Sequence, residues 1–455
     1  MDPLTREHNI KLFRIESLFN DRDIQISFDK NFRVLIGENG LGKTSLLNAL
    51  YYTLTGKFSK LNLLVFKKII IEFNSGKRVE IEREDLDFSE EEDRIKPRQE
   101  LRIIEGINQV LSENEKELIA ANIGTEAFRS HKEITHIISR LQKQLEYPSP
   151  IIRQTLLLMF SGKSGKLEEA RRTILKEVDA EVLYFPTYRR IEEELHKIGA
   201  LGQIKMPYDD KRLIQFGMED VSLTLNKVIE SIKNSAILGF SEITGEMLSQ
   251  YLEGAPRLDK NIREVIVPDI LKIILERVGT NITEDNKSNI IQLVESAEIF
   301  DNAEYKYLLN FLSKLVKIYD QQKDIDNSIK GFESTCNGYL TGKKVVYNES
   351  KVTINVIQEK TNLIIELRNL SSGEKQIISL FTKILFNESN NIIVLFDEPE
   401  LSLSMEWQKK LLPDILKSNK CKFLLCVTHS PFIFDNDLDG FAEDMSKYVF
   451  PSEKE

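Results

Sequence analysis

The chain has 455 residues, of which 41% are hydrophobic and 29% charged, the balance of an ordinary globular protein with a sizeable core. Its formal net charge of −10 argues against a protein whose whole surface wraps nucleic acid, although a local basic groove stays compatible with it. The three cysteines form no C-x-x-C pair, which disfavours a disulfide framework or a zinc site. The longest apolar runs have strand length, well short of the roughly 20 residues that a membrane helix needs. The composition therefore predicts a cytoplasmic globular protein that does not span a membrane.

Apolar strands and helical stretches alternate at both ends of the chain. The strand-like stretches lie at 12–19, 23–28, 32–36, 62–83, 182–185, 344–347, 352–358, 363–367, 391–396 and 423–427. A helical pattern over 44–54 ends at Gly56, a residue type that commonly terminates helices. Because strands and helices alternate in this way, we expect an α/β fold with a mixed sheet.

A long helical region separates the two ends. Residues 100–180 are mostly helical in pattern, and apolar stripes at helical spacing return from about 206 to 340. Gly239, Gly245 and neighbouring glycines and prolines interrupt this second stretch, so we expect it not to form one long coiled-coil arm. The sequence therefore predicts three segments: 1–205, a helical insertion at 206–340, and 341–455.

The segment 37–44 fits the phosphate-binding pattern G-x-x-x-x-G-K-[ST] without a mismatch. The candidate nucleotide-binding residues are Gly37, Glu38, Asn39, Gly40, Leu41, Gly42, Lys43, Thr44 and Ser45. Glycines let backbone N–H groups turn towards a phosphate, and the helix that follows adds its positive end. We expect Lys43 to supply charge to the β- and γ-phosphates and the Thr44 hydroxyl to ligate Mg²⁺. The alternative is a chance match in a glycine-bearing loop, which the strand before it and the helix after it disfavour.

Two carboxylates follow the apolar strand at 391–396. A buried strand that ends in Asp397 and Glu398 brings both charges to the carboxyl edge of the sheet, where ligands bind in open α/β folds. We expect Asp397 to hold the Mg²⁺ water shell and Glu398 to polarise the attacking water. The alternative, a buried strand that simply ends in a turn, does not explain why a second carboxylate follows at once.

The segment 370–376 precedes an apolar helix. Its polar residues are Ser371, Ser372, Gly373 and Glu374. Taken alone, Ser371 and Glu374 are typical of a capping box, and this structural interpretation is favoured. Together with the other motifs, a serine and free N–H groups at a helix N-terminus indicate an anion site.

The strand at 423–427 is followed by Thr428 and His429. A histidine in this position is usually a structural residue with satisfied hydrogen bonds. Because the strand follows the Asp-Glu strand along the chain, we expect His429 at the same sheet edge, in contact with a γ-phosphate.

In their order, the four motifs resemble those of ABC-type ATPases. GENGLGKT resembles the Walker A motif, LSSGEKQ the signature, IIVLFDEPELSLS the Walker B motif with the D-loop, and THSP the H-loop. The resemblance implies an ABC-type ATPase head, a P-loop NTPase fold that binds ATP and Mg²⁺ and hydrolyses ATP with slow turnover. It also implies a head-to-tail pair, in which Ser371 and Gly373 of one copy touch the γ-phosphate held by the other. Glu398 is then the catalytic base, and residues 401–404 line the contact between copies.

The signature departs from the pattern of transporters. Ser372 and Glu374 stand where transporters commonly have Gly and Gln, which is nearer to SMC-like and OLD-like ATPases. No glutamine is assigned to a Q-loop, and residues 187–190 are the best candidate to approach the site instead. The insertion between Lys43 and Ser371 is longer than a compact transporter domain needs, and it holds neither a membrane span nor a long rod. After His429 too few residues remain for a TOPRIM nuclease domain, so we expect effector chemistry on another chain.

The segments FPTYRRIEEEL, LSSGEKQ and DEPELSLSMEWQ resemble the ATPase subunit of the PARIS anti-phage defence system, and that of the Septu system comes second. The resemblance covers residues 1–56 and 340–440 well and the helical middle poorly. It implies a scaffold, a pair of heads or a higher oligomer such as a hexamer, that restrains a separate TOPRIM nuclease until a phage protein is sensed. The alternative is an SMC-like or RecF-like DNA-repair ATPase that clamps DNA, so nucleic-acid binding stays open at this point.

Overall fold

The computed structural model describes residues 8–86, 97–122, 128, 131–160, 165–187, 218–253, 256, 258, 261–279 and 282–452. The chain separates into two compact units. The first unit comprises Met1–Ile214 with Ser389–Glu455, and the second unit comprises Gln215–Glu388. The three-segment division that the sequence suggests stays a prediction.

The secondary structure follows the alternation that the sequence predicts. The strands are β1 (Ile10–Leu18), β2 (Arg22–Ser27), β3 (Phe32–Ile36), β4 (Lys68–Phe73), β5 (Arg78–Glu82), β6 (Glu181–Phe185), β7 (Lys343–Asn348), β8 (Thr353–Gln358), β9 (Ile364–Ile365), β10 (Ile392–Asp397), β11 (Cys421–Thr428), β12 (Ala442–Asp444) and β13 (Val449–Pro451). The helices are α1 (Lys43–Leu54), α2 (Phe58–Leu61), α3 (Pro97–Val110), α4 (Glu113–Asn122), α5 (Lys132–Leu145), α6 (Ser149–Phe160), α7 (Gly165–Glu177), α8 (Met218–Glu253), α9 (Ile262–Val265), α10 (Pro268–Arg277), α11 (Glu284–Glu295), α12 (Glu298–Asp301), α13 (Lys306–Asn337), α14 (Ser372–Leu385) and α15 (Met405–Lys417).

The first unit is built on two sheets of different kinds. Its described strands form a parallel sheet in the order β12-β3-β11-β10-β6 and an antiparallel sheet in the order β13-β2-β1-β4-β5. All six residues of β10 are buried, as a strand covered on both faces requires, and this explains its unbroken apolar run. The first turn of α1 follows β3, so the glycine-rich loop lies at the carboxyl edge of the parallel sheet.

The described residues of the second unit combine helices with a small antiparallel sheet, β7-β8-β9. Its main core joins α8 to α13 and packs Leu309, Leu312 and Leu315 of α13 among buried isoleucines. The glycines Gly239 and Gly245 do not interrupt the helical stretch as the sequence suggests, because α8 runs without a break through both. At Gly239 the reason is packing: a Cβ there would lie 2.4 Å from Cδ1 of Ile318, so the missing side chain is what lets α13 approach.

The predicted α/β fold with a mixed arrangement of strands is confirmed, together with a helical region between the two motif-bearing ends. Among the described residues, no helix combines the length and the apolar character required to cross a membrane.

Candidate functional site

The loop at 37–42 lies between β3 and α1 and has the shape of an anion cradle. Gly40 and Gly42 adopt φ values of 89° and 90°, in the left-handed region that favours glycine. A Cβ on Gly37 would lie 2.9 Å from Cδ1 of Leu41, so a larger residue there would crowd the loop. No side chain caps α1, so its first N–H groups are not engaged by a cap and can bind an anion. Glu38, Asn39 and Gly40 are exposed, whereas Leu41, Gly42, Thr44 and Ser45 are half-buried.

Lys43 folds back over this loop. Its Nζ donates to the carbonyl oxygens of Gly37 at 2.8 Å and Glu38 at 2.9 Å, and lies 2.8 Å from Nε2 of His429. Burial lowers the pKa of Lys43 below its usual range, although the carboxylates Glu398 and Asp397 oppose the effect. An incoming phosphate would supply the counter-charge that this ammonium group lacks at close range.

The Thr44 hydroxyl donates to Oδ2 of Asp397 at 2.9 Å. Asp397 ends β10 and is only 1% exposed, so a hydroxyl and a carboxylate oxygen already stand together at the sheet edge. Oxygen ligands of this kind, completed by phosphate oxygens and waters, are what Mg²⁺ binds in nucleotide sites. The pair therefore fits the predicted Mg²⁺ position.

Glu398 holds an unusual backbone conformation. Its φ is 47°, left-handed for a residue that carries a side chain, which costs about 1–2 kcal/mol. The conformation is fixed by a hydrogen bond from its backbone N–H to the Val427 carbonyl at 2.9 Å. Oε1 of Glu398 lies 3.5 Å from Nε2 of His429. The strained turn thus directs the carboxylate to the same place as Lys43 and His429.

Glu400 belongs to the same group of residues, and sequence reasoning missed it. Its carboxylate accepts from the Thr428 hydroxyl and from the backbone N–H of His429, both at 2.8 Å. A glutamate in a polar loop is ordinarily solvated, so its spacing from the Asp-Glu pair gave no signal. The parallel pairing of β10 with β11 in the structure brings the loop after β10, which contains Glu400, next to the residues that end and follow β11.

The segment 371–374 lies in the second unit. The Ser371 side chain accepts from the backbone N–H of Glu374, and Oε2 of Glu374 accepts from the N–H of Ser371 at 2.7 Å. The capping box is therefore present. Burial raises the pKa of Glu374, but hydrogen bonds from Lys343 and Ser371 outweigh it and leave that pKa below its usual value. The roles of Ser371, Ser372, Gly373 and Glu374 towards a second copy stay predictions.

The structure thus brings together, within the first unit, the residues predicted from three separate motifs. Lys43, Thr44, Asp397, Glu398 and His429 form one cluster at the carboxyl edge of the parallel sheet. Of the stretch proposed to approach this site, 187–190, only Thr187 lies inside the described residues.

Comparison with known proteins shows that the sequence is similar to ATPase domains. The model of the AAA ATPase domain family AAA_15 matches residues 19–434. The DNA replication and repair protein RecF of Clostridium kluyveri is 38% identical over 48 residues, and that of Desulfitobacterium hafniense is 44% identical over 48 residues. Each match covers 10% of this chain and only 13% of the length of RecF.

Solved SMC head domains are also similar, at low identity. The head bound to the C-terminal winged-helix domain of ScpA is 11% identical with a TM-score of 0.32, and the match covers 94% of this chain and 91% of that one. The Pyrococcus furiosus head with an extended coiled coil is 12% identical with a TM-score of 0.34, and the match covers 93% of this chain and 90% of that one.

Proposed function

Because the chain belongs to the AAA ATPase domain family, whose model spans residues 19–434, we propose that the cluster at Lys43 is its ATP-hydrolysing site. The proposal rests on the close approach of three side chains: Nε2 of His429 lies 2.8 Å from Nζ of Lys43 and 3.5 Å from Oε1 of Glu398. A lysine and a histidine beside a strained carboxylate form the set that phosphate binding and water activation require.

Each side chain has a distinct part in the proposed reaction. Lys43 binds the β- and γ-phosphates, while Thr44 and Asp397 would hold Mg²⁺, which would neutralise charge on the phosphates. Glu398 accepts a proton from the attacking water as the water oxygen bonds to the γ-phosphorus, and the bond from the γ-phosphorus to the β–γ bridging oxygen breaks, so that ADP leaves. His429 donates to an oxygen of the γ-phosphate and orients it. The position of His429 beside both Lys43 and Glu398 supports this assignment.

A second copy of the chain would complete the site. Ser371, Ser372 and Gly373 stand at the N-terminus of α14, where the capping box engages the N–H groups of Ser371 and Glu374. The motif resemblance supports a role of this segment in binding an anion held by another copy. Residues 401–404 would line the contact between the copies. We expect pairing to depend on bound ATP, because in this arrangement the phosphate would lie between the two surfaces.

At the level of the cell, the proposal is a switch and scaffold in anti-phage defence, with a separate nuclease as its effector. The motif resemblance to the PARIS and Septu ATPase subunits supports it. The alternative is a DNA-clamping repair ATPase, and the short match with RecF favours it. Co-purification with a neighbouring nuclease would support the first function. ATP-stimulated DNA binding that weakens steeply with salt would support the second.

The enzymatic proposal is tested by measuring phosphate release and ATP binding for the intact chain, Lys43→Ala and Lys11→Ala. Lys11 is an exposed lysine of the same unit and serves as the matched control. We expect Lys43→Ala to abolish detectable ATP binding and Lys11→Ala to leave it unchanged. If the intact chain releases no phosphate from ATP with Mg²⁺, or if Lys43→Ala binds ATP normally, the proposal is wrong.

A further inference from the structure

The loop that follows β10, residues 399–404, is tied at both ends to the segment after β11. One tie is the Glu400 carboxylate, and the other is the Gln408 carboxamide on the first turn of α15. Glu400 bonds to Thr428 and His429, and Gln408 bonds to the next residue, Ser430. The loop and the histidine therefore form one hydrogen-bonded body.

The Glu400 tie is bidentate. Oε2 accepts from the Thr428 hydroxyl and Oε1 accepts from the backbone N–H of His429, each at 2.8 Å. The Thr428 hydroxyl also accepts from the N–H of Ser430 at 2.9 Å, so the turn 428–430 is closed on itself as well as on Glu400. Because Thr428 is fully buried, its hydroxyl has a fixed direction and fixes the carboxylate in turn.

The Gln408 tie holds the far end of the loop. Its Nε2 donates to the Leu403 carbonyl at 3.0 Å, and its Oε1 accepts from the Ser430 hydroxyl at 2.6 Å. Gln408 is 8% exposed, so these bonds compensate for its burial. Movement of the loop would have to carry Ser430 and His429 with it or break these bonds.

We propose that Glu400 is a positioning residue, which holds the His429 backbone so that the imidazole stays beside Lys43 and Glu398. This inference rests on the proposed ATPase function and adds a residue that the motif does not assign. Glu400 itself touches neither Lys43 nor Glu398 by hydrogen bond in the structure, and acts through the N–H of His429. Gln408 is the second, weaker support, since it reaches His429 only through its neighbour Ser430.

A purely structural role would give a different result from a positioning role. If Glu400 only stapled the loop, its removal would lower stability and would slow hydrolysis by the same factor whether or not His429 is present. If Glu400 acts through His429, its removal matters only while the imidazole is there. A double-mutant cycle separates these cases.

The experiment measures kcat, KM and thermal unfolding for the intact chain, Glu400→Ala, His429→Ala and the double variant. Asp437→Ala, which removes an exposed carboxylate of the same unit, is the matched control and should leave kcat unchanged. We expect Glu400→Ala to lower kcat about tenfold with KM changed less than about twofold. His429→Ala should lower kcat by about a hundredfold, and adding Glu400→Ala to it should change kcat by less than about twofold.

Glu400→Gln keeps the shape of the side chain and covers the case in which Glu400→Ala fails to fold. The glutamine NH₂ cannot accept a hydrogen bond, so the bond from either the Thr428 hydroxyl or the His429 N–H is lost and the other survives. We therefore expect kcat to fall by about threefold. Equal losses from Glu400→Ala in both backgrounds, or an intact rate in Glu400→Gln, would overturn the positioning role while leaving the ATPase proposal in place. Absence of hydrolysis in the intact chain would overturn the ATPase proposal instead.

Discussion

Among the described residues, each unit contains a dense polar cluster, and these two clusters are built differently. The site cluster of the first unit comprises Lys43, Asp397, Glu398, Glu400 and His429. It lies at loops on a sheet edge, where the Glu398 and His429 side chains are 26% and 35% exposed. A lysine whose pKa is lowered by burial stands there beside a backbone held at positive φ.

The Arg277 network of the second unit comprises Arg277, Gln322, Asp326, Tyr347 and Glu349. Arg277 makes two bonds of 2.9 Å to Asp326, one of 2.7 Å to Gln322 and one of 3.0 Å to the Glu349 carbonyl. The Arg277 and Asp326 side chains are 6% and 2% exposed. Burial and a hydrogen bond to Asp326 raise the pKa of Tyr347, which keeps its hydroxyl protonated as a donor.

The difference shows how a structural polar cluster is told from a reactive one. In the Arg277 network the cation is matched by a bidentate carboxylate, so its groups have no strong requirement for a ligand. In the site cluster the cation is held mainly by backbone carbonyls, and the nearest acid sits on a strained turn. Partial exposure combined with strain is what indicates function there.

The sharpest test of this contrast is Glu398→Gln. The change keeps size and removes the proton acceptor, so we expect hydrolysis to fall by about 10²- to 10⁴-fold while ATP stays bound. Stability should change little, because Glu398 is not buried. Phosphate release and nucleotide binding measure the two effects. Hydrolysis at the parental rate would remove Glu398 from the role of base.

For Arg277→Met we expect the opposite effect on stability, a large loss. The substitution leaves the Asp326 carboxylate buried without its cationic partner, so we expect the free energy of unfolding to fall by about 3–5 kcal/mol. Lys272→Ala on the same helix is the control, because its ion pair with Glu295 is about half exposed on both sides, and it should cost less than about 1 kcal/mol. Urea titration followed by circular dichroism gives both values. Equal costs for the two variants would contradict the structural reading of the network.

Two glycines of α8 give a test within one helix. In Gly239→Ala the new methyl meets Ile318 at 2.4 Å, and we expect a loss of about 1–3 kcal/mol. In Gly245→Ala nothing lies within 4 Å, so the better helix propensity of alanine should stabilise the second unit by about 0.5–1 kcal/mol. Opposite shifts of the unfolding midpoint are expected. Shifts of the same sign would contradict the close packing of α8 on α13.

The smallest expected effect is a pH dependence of ATP binding. Phosphate favours charged Lys43, whose pKa in the free protein lies below the ordinary 10.5. Affinity should therefore be constant below that lowered pKa and fall as the pH rises above it, with uptake of a proton on binding, by at most about tenfold per pH unit. Calorimetry in two buffers of different ionisation enthalpy measures the proton uptake. Lys43→Arg, which does not titrate in this range, should show no such slope.

The motif-bearing ends were predictable because local chemistry decides them. The unbroken apolar runs placed β3 without error and β10 and β11 within a few residues. In the 37–42 loop a Cβ would be crowded at Gly37 and Gly42, and Gly40 adopts a positive φ.

The helical region between the motif-bearing ends was harder to predict, because packing there overrides helix propensity. The helix α8 continues through Gly239, where the missing side chain leaves room for Ile318. Glu400 could not be found from the sequence, since its hydrogen bonds to Thr428 and His429 depend on β11 lying beside β10.

The pairing of β3 has a consequence for biosynthesis. Phe32 pairs with Leu424 and Val34 with Ala442, so the neighbours of the phosphate-loop strand are translated roughly 390 residues after it. At ribosomal speeds of about 5–20 residues per second, the strand waits roughly 20–80 s for those neighbours. A chain truncated before residue 421 would lack β11 and β12, the strands that pair with β3 beside the glycine-rich loop. We therefore expect nucleotide binding only late in synthesis, after these strands have been made.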